Sequence, residues 1–141
     1  MIVILSGVSG AGKDTIKRIL MEKDGRIKTL PSYTTREKRV NEIEGQNYYY
    51  VSKEKFKEMI DNNEFYEYSV HHGNYYGTNK KLLNERIKNN IVLKDIDVNG
   101  TEALEKIFKD TDIQVISIFL NVSKEELAFR LSNRDDKLTK E

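Results

Sequence analysis

The chain has no cysteine, no tryptophan, a single proline and only two histidines, and its charges nearly cancel, with 24 Lys+Arg against 23 Asp+Glu for a net +1. Without cysteine there is no disulfide framework, no thiolate nucleophile and no Cys-based zinc site, and a reducing, cytoplasmic setting is the expectation. The imidazoles of His71 and His72 stand beside Gly73 and Asn74, between two strand-like runs. They therefore read as solvated residues of a hairpin turn rather than as metal ligands. A near-neutral balance excludes a broad nucleic-acid surface, which needs clustered excess Lys and Arg, so any anion binding must be local. Long hydrophobic runs are missing too. Met1–Leu5 is the longest, too short for a membrane span or a signal-peptide core, so no membrane partner is expected. No repeats, low-complexity tracts or Pro/Gly/Ser linkers interrupt the 141 residues, a length that suits one domain with a small inserted lobe.

What is present is unevenly spread. All eight Tyr lie between Tyr33 and Tyr76, so the middle of the chain differs in kind from its flanks. In the flanks, short apolar runs alternate with helical periodicity, the pattern of parallel strands joined by crossover helices. The runs predict strands at Ile2–Leu5, Ile91–Ile96 and Ile113–Leu120, each covered on both faces, and a weaker one at Ile27–Leu30; Lys94 interrupts the second. Stripes of Ile16, Ile19 and Leu20, of Leu83 and Ile87, and of Ala103, Leu104, Ile107 and Phe108 are expected to face the core. Ser123 with Glu126 predicts a capping box that opens a helix through Leu127 and Leu131. The Tyr-rich segment alternates like strands, with one helix starting at Ser52 and burying Phe56, Met59 and Ile60.

Gly7-Val8-Ser9-Gly10-Ala11-Gly12-Lys13 follows the first strand and precedes the Ile16/Ile19/Leu20 helix. That context predicts a phosphate-binding loop: glycines let successive backbone N–H groups point at an anion, the helix adds its positive end, and Lys13 reaches the β- and γ-phosphates. The residue after the lysine is normally Ser or Thr, whose hydroxyl holds Mg²⁺. Here it is Asp14, with Thr15 next, so Asp14 is a candidate Mg²⁺ ligand and Gly7 to Thr15 a candidate ATP site. Asp95 and Asp97 end the Ile91–Ile96 strand, where ligands of open parallel sheets bind. Two apart on an extended chain, they face one side. One of them, Asp95, is then a second metal candidate and the other a substrate contact, unless they serve as caps for the helix that starts near Thr101. The fold class is α/β, a P-loop NTPase-type parallel sheet with flanking helices and an inserted small α+β lobe.

Five further segments are similar in order and spacing to the guanylate kinase family: Pro31-Ser32-Tyr33-Thr34-Thr35-Arg36-Glu37-Lys38-Arg39, Glu44-Gly45-Gln46-Asn47-Tyr48, Glu64-Phe65-Tyr66-Glu67-Tyr68, Gly73-Asn74-Tyr75-Tyr76-Gly77-Thr78 and Asp95-Ile96-Asp97-Val98-Asn99-Gly100. The resemblance implies a P-loop core over residues 1–31 and 79–134 and a GMP-binding lobe over 32–78. It implies that Arg36, Arg39, Tyr48 and Tyr76 hold the GMP phosphate, and that Ser32, Glu67 and Thr78, with Asp97 as a further candidate, read guanine. It also implies that Arg36, Arg130 and Arg134 join Lys13 in catalysis, with ATP as donor, GMP or dGMP as acceptor and Mg²⁺ as cofactor. Without the resemblance, Arg36 and Arg39 pass for solvated charge, and Tyr48 and Tyr50 for one face of a strand.

Guanylate kinases continue through an Arg-bearing lid, a further helix, a strand and a closing helix, whereas residues 135–141 here form only the start of a lid. Four strands in place of five are expected to leave one sheet edge bare, so that either a longer natural chain carries the missing segments downstream or a second copy associates through that edge. The alternative function is a non-catalytic guanylate-kinase-like module that binds nucleotide or a protein; such modules typically lose the phosphate-loop lysine, which is present here as Lys13.

Overall fold

The computed structural model describes residues 1–7, 12–121 and 123–132. Four parallel strands, β1 (Ile2–Ser6), β2 (Ile27–Thr29), β7 (Ile91–Asp95) and β8 (Val115–Phe119), make one sheet in the order β2-β7-β1-β8. Helices α1 (Lys13–Lys23), α3 (Lys80–Arg86), α4 (Val98–Phe108) and α5 (Lys124–Ser132) belong to the same part of the chain. A second sheet, ordered β4-β3-β6-β5, joins β3 (Tyr33–Thr34), β4 (Tyr49–Tyr50), β5 (Phe65–His71) and β6 (Asn74–Asn79), with α2 (Lys53–Asp61) packed beside it.

Apart from Lys94, the central strands β1 and β7 are apolar on both faces because both faces are covered. Ile2, Ile4, Val92, Leu30, Leu83, Leu104 and Phe108 form one buried cluster. Phe56, Met59 and Phe65 form a smaller one inside the second sheet, with Ile60 packed against it. Ser52 caps α2 by accepting a hydrogen bond from the Lys55 N–H, and Ser123 Oγ accepts one from the Glu126 N–H at 3.1 Å; Leu127 and Leu131 of that predicted stripe have side chains outside the described set.

Three expectations need correction. β8 is not covered on both faces: Ile116, Ser117, Ile118 and Phe119 are all exposed, because β8 is the outer strand and only α4, among the described elements, packs on it closely. The stripe on α1 is not core. None of its residues is buried, since α1 lies along the edge strand β2 rather than across the centre of the sheet. On α4, Leu104 and Phe108 are buried while Ile107 is 39% exposed.

The second sheet has one irregularity that matters for the site. Phe65 pairs with Asn79 but Glu67 pairs with Thr78, so one extra residue is inserted in β5. In an unbroken strand Phe65 and Glu67 would share a face. The bulge shifts that parity: Phe65 and Tyr68 lie together against Phe56, whereas Glu67 turns to the other side and accepts a hydrogen bond from Thr78 Oγ1 at 3.1 Å. Tyr66, the extra residue, packs edge-on against Phe108 of α4 with ring centroids 5.2 Å apart, tying the two sheets together.

Candidate nucleotide-binding cleft

Parallel strands deliver their C-terminal ends to one edge of the sheet, and both loops of interest leave from there. β1 runs into Gly7 and β7 ends at Asp95. Gly12, at φ 94°, caps the start of α1, and Lys13 folds back so that its Nζ donates to the Gly7 carbonyl at 2.7 Å. The ammonium is thus held beside the C-terminal end of β1; Val8, Ser9, Gly10 and Ala11 lie outside the described residues.

Two cavities open between the sheets. One of about 730 Å³ is lined by Arg36, Arg39, Glu42, Tyr48, Asp14 and Lys17 among others. One of about 430 Å³ is lined by Gly7, Lys13, Glu67, His71, Tyr76 and Asp97 among others. Ser32, Tyr48 and Asp95 belong to both, so the two adjoin.

On the first side, Arg36 is gripped by Glu42, Nη1 to Oε1 at 3.0 Å and Nη2 to Oε2 at 2.8 Å, and its guanidinium lies 5.1 Å from the centre of the Tyr48 ring. Tyr48 in turn meets Tyr76 edge-on at 5.7 Å. Glu42 also accepts the Arg39 N–H at 2.9 Å, which fixes the turn that carries the second arginine. Burial would raise the Glu42 carboxyl, but the Arg36 guanidinium and the Arg39 N–H outweigh it and hold it at about 2 against an ordinary 4.5. Its stabilising effect is therefore complete above the unfolded value near 4.5 and is lost as pH falls toward 2. Acid titration of Tyr fluorescence should show Glu42→Gln less stable than wild type at neutral pH, with the gap closing across that window; a gap that stays constant with pH would deny the pairing.

On the second side, Thr78 is fully buried and Ser32 nearly so. Burial pushes the Glu67 carboxyl up, and Lys94 and Thr78 oppose the shift. Gly100, in the first turn of α4, comes so close that a Cβ there would meet Glu67 Oε1 at 3.0 Å and Asp97 Oδ1 at 3.1 Å, so the absence of a side chain makes room for the carboxylate. Asp97 is the N-cap of α4, Oδ1 accepting the Gly100 N–H at 2.7 Å, and its Oδ2 lies 2.8 Å from His71 Nε2. His71 is therefore not a free turn residue. It ends β5 and reaches across to α4, while His72 and Gly73, at φ 51° and 80°, make the turn itself.

The two metal candidates are joined by a cation of the chain's own. Lys17 Nζ lies 3.3 Å from Asp14 Oδ1 and 3.1 Å from Asp95 Oδ1. Burial favours a neutral Asp95, yet the Lys17 and Lys94 charges prevail and hold its carboxyl below the usual carboxylate range. Among the described residues no group of three or more His, Cys, Asp or Glu is clustered as a metal site. Arg130 stands on α5 with its side chain outside the described set, and Arg134 lies outside the described residues altogether.

The residues missed by sequence reasoning are Glu42, Lys17 and the partners of Lys94. Glu42 had a signal, an acid three residues beyond Arg39 and six beyond Arg36. Lys17 had one also, since it sits one turn from Asp14. No described helix is long and apolar enough to cross a membrane.

A parallel sheet with a glycine-rich loop and lysine at its C-terminal edge, faced by a small sheet that offers arginines, tyrosines and a half-buried glutamate, defines a P-loop nucleotide-binding protein with an inserted small lobe. The family profile described as Guanylate kinase matches residues 1–141. A guanylate kinase of Prochlorococcus marinus (strain MIT 9312) is 44% identical over 135 residues, covering 94% of this chain and 71% of that protein. One from Mycoplasma mobile is 40% identical, covering 99% and 72%, and one from Bartonella henselae is 43% identical, covering 93% and 58%. A crystal structure of guanylate kinase from Anaplasma phagocytophilum superposes with a TM-score of 0.72 at 30% identity, covering 94% of this chain and 71% of that one. This chain belongs to the guanylate kinase family.

Proposed function

We propose that the protein transfers the γ-phosphoryl group of ATP to GMP or dGMP, giving ADP and GDP or dGDP. The observation that carries this reading is the pair of adjoining cavities, one lined by Lys13 and Glu67, the other by Arg36 and Arg39, and both by Ser32, Tyr48 and Asp95. In it, residues 32–78 serve as the acceptor lobe. Glu67 accepts from guanine N1–H and the 2-amino group, with Ser32, Thr78 and Asp97 completing the base contacts. Arg36, Arg39, Tyr48 and Tyr76 hold the acceptor phosphate. Arg36 spends Nη1 on Glu37 O and Glu42 and one Nη2 hydrogen on Glu42, which leaves, among the described residues, Nε–H and a second Nη2 hydrogen for a phosphate oxygen.

The loop from Gly7 to Thr15 cradles the donor phosphates, and Lys13, with Arg130 and Arg134 from the last helix, stabilises the migrating charge. An acceptor-phosphate oxygen attacks the γ-phosphorus in line as the bond to the β-phosphate oxygen breaks and ADP leaves. No general base is required, because a phosphomonoester is already largely dianionic near neutral pH. The carboxylates of Asp14 and Asp95 are hard oxygen donors of the kind Mg²⁺ takes together with substrate phosphates. Mg²⁺ held there, in place of the Lys17 ammonium that joins the two carboxylates, would neutralise charge on the donor phosphates. ATP and nucleoside monophosphates are cytoplasmic metabolites, so the cytoplasm is the compartment this reading implies.

A coupled assay of ADP release tests the proposal. GMP and dGMP should support turnover with Mg·ATP, and AMP, CMP and UMP far less, since an adenine N1 would face a carboxylate with no proton to share and a site built for a donor rejects its absence strongly. Equal turnover with AMP, CMP and UMP as with GMP would remove the guanine assignment. A non-catalytic module gains no support from the relatives, each of which is named a guanylate kinase.

A further inference from the structure

Lys94 is the most anomalous residue of the central sheet. It pairs with Ile4 in the middle of the β1–β7 ladder and is 2% exposed. A buried ammonium is tolerated only when its protons are accepted, and an apolar side chain of similar size would fill the place at less cost. Its Nζ donates to the Leu30 carbonyl at 3.0 Å and to Ser32 Oγ at 2.6 Å. These acceptors flank Pro31, at the point where the chain leaves the parallel sheet for the acceptor lobe, and the Ser32 carbonyl is itself fixed by the Tyr49 N–H at 2.9 Å.

We propose that Lys94 is a positioning residue that sets the hydrogen-bond polarity of the base pocket. An ammonium has only donors, so Ser32 Oγ must be the acceptor in their bond, and the hydroxyl proton is left to point into the cleft. Resting on the reading of the cleft as a guanine site, this makes Ser32 a donor at the purine 6-position: a carbonyl oxygen there is accepted and an amino group refused. Glu67 supplies the complementary acceptor next to it, and the Lys94 charge opposes the tendency of burial to protonate that carboxylate. The buried cation thereby fixes the donor of the pocket.

The test uses equilibrium binding by calorimetry of GMP, IMP and the 2,6-diaminopurine analogue of GMP to wild type, Lys94→Met, Ser32→Ala and the double variant, with ATP as control. IMP keeps the 6-oxo group without the 2-amino group, and the diaminopurine analogue reverses this. Lys94→Met should weaken GMP and IMP by a similar factor, about tenfold for one charge-assisted contact, while the diaminopurine analogue loses less and ATP is unaffected. In the Ser32→Ala background the same change should add little to the loss of preference for the 6-oxo purines. Lys94→Met acting equally with and without Ser32, or weakening all three purines and ATP alike, would overturn the proposal and leave Lys94 a structural residue only. Should Lys94→Met fail to fold, Ser32→Ala alone decides: an unchanged preference for IMP over the 6-amino analogue overturns it. A wild type that binds no GMP would instead remove the guanine reading itself, an outcome distinct from binding that Lys94→Met leaves intact.

Discussion

Lys13→Ala is expected to lower the rate of phosphoryl transfer by about 10²–10³-fold, the loss typical of removing one preorganised group that meets developing charge. The side chain stands at the start of α1 with its ammonium bonded to the Gly7 carbonyl at 2.7 Å, at the C-terminal end of β1. ATP affinity should fall with the rate, whereas GMP affinity should be nearly unchanged, since the groups proposed for GMP stand on the lobe and on α4. Lys13→Ala enzyme that weakened GMP and spared ATP would place the donor elsewhere.

The second large effect is expected at Glu67. Glu67→Gln keeps the shape but replaces one acceptor oxygen by a donor that faces guanine N1–H and the 2-amino group. Each charge-assisted bond is worth about 1.5–3 kcal/mol, so losing two should reduce kcat/KM for GMP by about 10²-fold or more. Use of AMP should hold or rise, because an amide can donate to its unprotonated N1. Steady-state kinetics with each monophosphate at saturating ATP measures both. A variant that lost ATP affinity and kept GMP would displace the base site from the lobe.

Much of this was legible in the sequence because it rests on local rules. Apolar runs and a glycine-rich turn before an amphipathic stretch are enough to locate β1, β7, the loop and α1, and Ser52 announces α2. What could not be read is what depends on parity and distance. The bulge at Tyr66 turns Glu67 away from Phe65 and toward the cleft, and a count of alternating residues points the other way. Lys94 looked like a fault in a buried strand until its acceptors, 62 and 64 residues earlier, came within reach. From its neighbours alone His71 reads as a turn residue, because its partner, Asp97, is 26 residues on. The expectation that β8 would be covered failed because apolar composition reports that a strand can be buried, not that a partner lies over it.

The most direct measurement is ³¹P NMR of the protein with Mg²⁺, ATP and GMP in equal amounts. Phosphoryl transfer predicts that the GMP resonance declines as the paired α and β resonances of GDP and ADP grow, with the ATP γ signal lost in step and no inorganic phosphate, and that AMP in place of GMP gives no comparable conversion. Accumulation of inorganic phosphate with GMP intact, or conversion of AMP as fast as GMP, would contradict it.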